Sequence, residues 1–168
     1  MRTRRAGAVW IGVVLVLVGC AGRQTPDAEY RSAKGFRVVL PGQDWRVVGE
    51  SRADLELRHR GAPAGIVVNA SCDSRLVGRS VEALRLEILA GFSDREVAVR
   101  DAVAVAGREA AHRGVEGQAG VTGERVRVEL FVLKGDRCVY DLLYAAPPVD
   151  FARGQADFQR LVGTLTLE

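Results

Sequence analysis

Apolar and polar residues alternate with a period of two along much of this chain, and that period writes β-strands. Phe36–Leu40 and Trp45–Val48 are short strand-like runs, divided by the turn-forming Pro41-Gly42-Gln43-Asp44. Leu55, Leu57 and His59 alternate with Glu56, Arg58 and Arg60. Ile66–Ala70 is β-branched and leads into Ser71-Cys72-Asp73-Ser74. The period then changes. Ser80 can cap a helix over Ser80–Gly91 whose apolar face holds Val81, Leu84, Ile88 and Phe92, with Glu82 placed to meet the helix dipole. Strands return at Val97–Val99 and Val103–Val105, read as a hairpin around Arg100-Asp101, and continue through Glu109–Glu116. Arg125–Leu133 sets Val126, Val128, Leu130 and Val132 on one face. Lys134-Gly135-Asp136 turns the chain into Arg137–Tyr144, where Cys138, Tyr140, Leu142 and Tyr144 share a face. Pro147-Pro148 stops the sheet. Asp150 then caps a helix over Asp150–Gly163 that buries Phe151, Phe158, Leu161 and Val162 and stops at Gly163. Strands, a helix, more strands and a closing helix predict an α+β fold, an antiparallel β-sheet flanked by helices.

The N-terminal residues carry a different pattern. Met1–Arg5 is cationic and Ala6–Val18 is an uncharged apolar run, shorter than the roughly 20 residues a spanning helix needs. This order reads as an export signal. Leu17-Val18-Gly19-Cys20 resembles the bacterial lipobox, which implies cleavage before Cys20 and a diacylglycerol thioether on its sulfur. Such an anchor holds a protein to a bilayer with about 0.8 kcal/mol per buried methylene. Ala21 stands where an aspartate would favour inner-membrane retention, so the expected destination is the outer membrane, facing the periplasm. Ala21–Ser32 is polar and carries no apolar period. The expected organisation is a signal peptide over 1–19, a lipidated N-terminus and tether over 20–34, and one domain over 35–168.

Composition narrows the function classes. At 48% hydrophobic and 27% charged residues the chain is of ordinary globular type. Three of its 24 basic residues, Arg2, Arg4 and Arg5, precede the apolar run, leaving 21 cations against 21 Asp and Glu. A neutral domain lacks the electrostatic footprint of a nucleic-acid binder. Once Cys20 is acylated, Cys72 and Cys138 remain, an even number in an oxidising compartment, which predicts a disulfide between them. Two buried free thiols are the alternative.

The order of pieces also resembles the PsbP-like fold, an α/β/α sandwich. The resemblance is carried by Gly35-Phe36, Leu40-Pro41 and Trp45, then by Ala106-Gly107-Arg108-Glu109-Ala110 ahead of a long hairpin. It continues in Tyr140-Asp141-Leu142-Leu143-Tyr144 and in the closing helix with Phe158, and spans roughly Phe36–Leu167. It implies kinship with small bacterial lipoproteins that carry this domain, and a binding or assembly role rather than catalysis. The manganese- and calcium-associated role of the fold's namesake, the extrinsic subunit of photosystem II, does not carry over, because no ligand set matches.

Side-chain chemistry adds little more. His59 and His112 lack companion ligands at metal-binding spacing, so no metal and no cofactor is expected. Gly117–Gly123 lacks the lysine and the strand-to-helix setting of a phosphate loop and reads as a hairpin or loose loop. Asp141 interrupts an apolar strand, with Arg125 or Arg127 as the expected cross-strand partner. Trp45, Tyr140 and Tyr144 could line an apolar groove, with core packing as the competing account. The function expected is a lipid-anchored, non-enzymatic envelope module that binds a protein partner. A carrier of a lipid or other small apolar ligand, held between sheet and helix, is the alternative.

Overall fold

The computed structural model describes residues 28–120 and 122–168. Five strands come first: β1 (Glu29–Ser32), β2 (Phe36–Val39), β3 (Trp45–Val47), β4 (Leu55–His59) and β5 (Gly65–Ser71). Two helices follow, α1 (Ser74–Val77) and α2 (Val81–Ile88), the second ending in a 3-10 turn at Leu89–Gly91. Next come β6 (Phe92–Val105), β7 (Arg108–Ala119), β8 (Arg125–Lys134) and β9 (Val139–Ala146), then α3 (Phe151–Gly163) and β10 (Thr166–Leu167). Seven strands form one antiparallel sheet in the order β3-β4-β5-β9-β8-β7-β6, while β1, β2 and β10 form a smaller one. The fold is α+β, as expected.

The period of two sorts the large sheet into two buried faces. On one, Cys138 and the β9 residues Tyr140, Leu142 and Tyr144 join Phe131 and Leu133 of β8 against Phe36 and Val38 of β2 and Phe151, Phe158 and Leu161 of α3. On the other, Val128, Leu130 and Val132 of β8 and Val139 of β9 meet Leu84 of α2 and Leu89 of the 3-10 turn. The sheet is therefore the middle layer of a sandwich. The sequence placed only one face of β8 in the core. Both are covered, because this strand lies between the two helical layers.

Four local expectations change. Residues 20–34 were expected as tether, yet Glu29–Ser32 pairs with β2 and Tyr30 packs on Phe36 at 6.0 Å between ring centroids. The hairpin turn is not at Arg100-Asp101. Strand β6 runs straight through that pair and turns at Ala106-Gly107, whose φ angles of 50° and 70° suit a two-residue hairpin with both central residues left-handed. Phe92 leaves the α2 face, since the 3-10 turn intervenes and Phe92 opens β6 half-buried. Asp150 precedes α3 without a side-chain bond to a helix N–H and pairs with Arg153 instead. Ser80 does cap α2, accepting from the Ala83 N–H.

Candidate functional site: an arginine-lined groove

Beside α2 the outer strands of the sheet are not fully covered. Strand β6 is the edge strand, with β7 as its one partner in the sheet. Residues of β6 and β7 that point toward α2 form the floor and far wall of a groove, and α2 with its 3-10 turn forms the near wall. Two adjoining depressions of about 350 and 400 Å3 share Arg100 and Arg113 as lining residues. The larger is lined by Arg85, Arg95, Arg100 and Arg113 and by the apolar Leu86, Leu89, Val97 and Val115. Leu86 and Val97 are 51% and 61% exposed, two of the four large apolar side chains most open to water among the described residues.

One carboxylate holds the cluster together. Glu82 accepts from Arg85 Nε at 3.0 Å and from Arg113 Nη2 at 3.1 Å, and Arg100 stands 3.6 Å away. The Arg85 hydrogen bond is the main reason the Glu82 carboxyl titrates below its usual range. Arg113 is the deepest cation, with its side chain 8% exposed. Its Nη1 donates to the backbone oxygens of Asp101 and His112, at 3.1 and 2.7 Å. Its Nε is buried with no hydrogen-bond partner. Burial disfavours the charged form and pulls the Arg113 pKa down. Three guanidinium groups thus gather on Glu82 at the edge of a low-dielectric layer. Glu82, Asp101 and Glu109 line the smaller depression, whereas the larger has four arginines and no carboxylate on its lining, a local positive charge that an anion would neutralise.

A second polar cluster lies on the opposite face. Glu129 is 3% exposed, bonds His112 Nε2 at 3.0 Å, and accepts from Gln155 and Gln159 of α3 at 2.9 and 3.1 Å. His112 stacks on Phe131 with centroids 4.2 Å apart. The carboxylate is fully partnered and pins α3 to the sheet. Nothing in the sequence marked it, since Gln155 and Gln159 meet Glu129 only after folding.

The residues singled out from sequence fall elsewhere. Trp45, Tyr140 and Tyr144 are all buried in the core, the core-packing account of them. Trp45 Nε1 donates to Asp157 at 2.9 Å, Tyr144 donates its hydroxyl to the Phe151 carbonyl at 2.8 Å, and Tyr140 packs edge-on against Phe36. The layer between sheet and α3, where a carried ligand was to sit, is filled by Phe131, Tyr144, Phe151 and Phe158. His59 is half-buried, edge-on to Trp45 at 5.0 Å. Asp141 does not meet Arg125 or Arg127. It accepts from Asn69 Nδ2 at 2.8 Å, and desolvation pushes its carboxyl above the ordinary range. Arg125 bonds Glu116, and Arg127 lies over the Phe151 ring. Gly117–Ala119 belongs to β7, and the loop between β7 and β8 begins only at Gly120. Cys72 and Cys138 are joined as a disulfide. Cys20 lies outside the described residues. Among those residues no three His, Cys, Asp or Glu side chains converge to hold a metal, and no helix is long and apolar enough to cross a membrane.

No protein-family model matches the chain, and no curated protein matches it. Solved structures do. LpqN of Mycobacterium tuberculosis, described as involved in cell envelope biogenesis, superposes with a TM-score of 0.55 at 16% identity, over 86% of this chain and 87% of that one. The cyanobacterial PsbP of Synechocystis gives 0.56 at 11% identity, over 90% and 99%. A Pseudomonas aeruginosa protein of unknown function, described as a putative regulator, gives 0.52 at 13%, over 84% and 96%. Likeness at these identities is likeness of fold: the chain folds as an antiparallel α+β sandwich similar to the PsbP-like proteins.

Proposed function

We propose that this protein is a lipid-anchored, non-enzymatic accessory module of the cell envelope, held at the outer membrane through Cys20 and binding an envelope protein on the periplasmic side. The observation that carries the reading is how its three cysteines divide. Cys72 and Cys138 are bonded to each other, which suits an oxidising compartment, and Cys20 is left at the end of the lipobox-like Leu17-Val18-Gly19-Cys20. The fold shared with LpqN, whose description places it in cell envelope biogenesis, supports the same compartment. The order of cationic start, apolar run and Cys20 supports residues 1–19 as a cleaved signal.

Cross-linking in intact cells, followed by capture of the full chain from solubilised envelopes, tests the partner. One envelope protein enriched in a fixed ratio to the chain is expected. Recovery of the abundant membrane proteins alone, in the proportions found with an unrelated lipoprotein, would contradict a specific partner.

A further inference from the structure

The groove between α2 and β6 has no role in the anchoring argument, and its chemistry is specific. We infer that it binds a phosphate diester bearing apolar substituents, the chemistry of a phospholipid headgroup with its first methylenes. Charge gives the first reason. Arg85, Arg100 and Arg113 share the single carboxylate of Glu82, and Arg95 joins them on the lining of the larger depression. Donor geometry gives the second. Glu82 and backbone oxygens already occupy Arg85 and Arg113, which leaves the fork of Arg100, mostly exposed, and the exposed Arg95 as donors that a ligand can reach. Both lie on β6 and line the larger depression. A tetrahedral phosphate presents oxygens in several directions and can accept from both, and guanidinium groups are the side chains suited to it.

The apolar half of the lining gives the third reason. Leu86 and Val97 stand open to water on the two walls, and Leu89 and Val115 lie buried between them. Free phosphate would leave Leu86 and Val97 uncovered. A diester with short alkyl groups covers them while its single negative charge meets the arginines. The depression of about 400 Å3 is the size of a headgroup rather than of a whole two-chain lipid. Arg95, which donates to the Leu89 carbonyl at 3.0 Å, fixes the 3-10 turn that shapes one end.

Isothermal titration of the full chain in a non-ionic detergent tests this with two soluble probes, dibutyl phosphate and inorganic phosphate. Dibutyl phosphate should bind with a Kd below about 1 mM and about tenfold tighter than inorganic phosphate, although it carries less charge. Arg100→Gln, at a mostly exposed side chain, should weaken both probes about tenfold without unfolding the protein. Leu86→Ser should weaken only the diester. Inorganic phosphate binding as tightly as the diester would overturn the amphiphilic ligand in favour of free phosphate. Absence of saturable binding, or affinities untouched by Arg100→Gln, would overturn the site itself. None of these outcomes bears on the acylation of Cys20, so the two readings fail separately.

Discussion

Cys72, just beyond the end of β5, is bonded to Cys138, just before β9, with their Cα atoms 4.1 Å apart and a sequence separation of 66. The two strands are antiparallel neighbours, and Ser71 pairs with Val139, so the bridge closes the end of a ladder already in register. It spans the segment from α1 through β8. Cross-linking a loop of this length removes denatured-state entropy worth about 4 kcal/mol in the chain-entropy model. Reduction, or a Cys72→Ser and Cys138→Ser double variant, should therefore lower the urea midpoint strongly and steepen the transition, since the released denatured chain exposes more surface. Urea unfolding followed by circular dichroism measures it; an unchanged midpoint would contradict the bridge.

Gly154 of α3 sits where Trp45 and Tyr144 come together. A Cβ there would lie 2.8 Å from Trp45 Cζ2 and from the Tyr144 hydroxyl. Alanine is the better helix former by about 1 kcal/mol. Overpacking a filled core costs about 1–3 kcal/mol or more, and both neighbours are buried and hydrogen-bonded, so the clash should win. Gly154→Ala should lower the melting midpoint. Gly163→Ala, at the last turn with no heavy atom within 4 Å of the added carbon, should leave it unchanged or raise it. Thermal melts of the two variants side by side give the comparison.

Truncating Phe158 should cost about 3–5 kcal/mol, since its ring is fully buried among Phe131, Tyr144 and the sheet. Phe92→Ala should cost clearly less, because Phe92 is half-buried at the start of the edge strand. Chemical denaturation orders the pair. Equal losses would mean that Phe92 belongs to the core of the α2 layer after all.

Asp141 gives a pH signature. Its folded-state carboxyl titrates above the ordinary range because of desolvation, so the unfolded chain releases this proton first. This residue's contribution to stability is therefore full below the unfolded pKa, near 4, and declines as pH rises through the folded value. Asp141→Asn keeps an oxygen to accept from Asn69 and removes the buried charge. The variant should melt higher than the parent at neutral pH and lose the advantage in acid. A variant that melts lower at neutral pH would show that the carboxylate is stabilising.

Where side-chain pattern acts locally, the fold was legible. Ser80 as a cap, the shared face of Cys138, Tyr140, Leu142 and Tyr144, and the buried stripe of α3 all follow from period and capping. The pattern misled where a strand has little to bury. Strand β6 is an exposed edge, so Arg100 and Asp101 looked like a turn, while the actual turn at Ala106-Gly107 offered one glycine behind an alanine. The groove was invisible for another reason. Arg85, Arg100 and Arg113 come from α2, β6 and β7, and Glu82 unites them only when the helix lies across the strands. The aromatic residues admitted two readings in sequence, a groove or the core. Trp45, Tyr140 and Tyr144 are part of what fills the core.

The proposal of an anchored, exported module rests on Cys20 and on the Cys72–Cys138 bond together. The intact mass of the full-length gene product, extracted from membranes of a Gram-negative host without reductant and treated with a thiol alkylator, reads both at once. The predicted result is a chain beginning at Cys20, heavier by a diacylglycerol or by three acyl chains, and taking up no alkylator until it is reduced. A chain that retains residues 1–19, or lacks acyl mass, or alkylates at both Cys72 and Cys138 before reduction, would contradict the account.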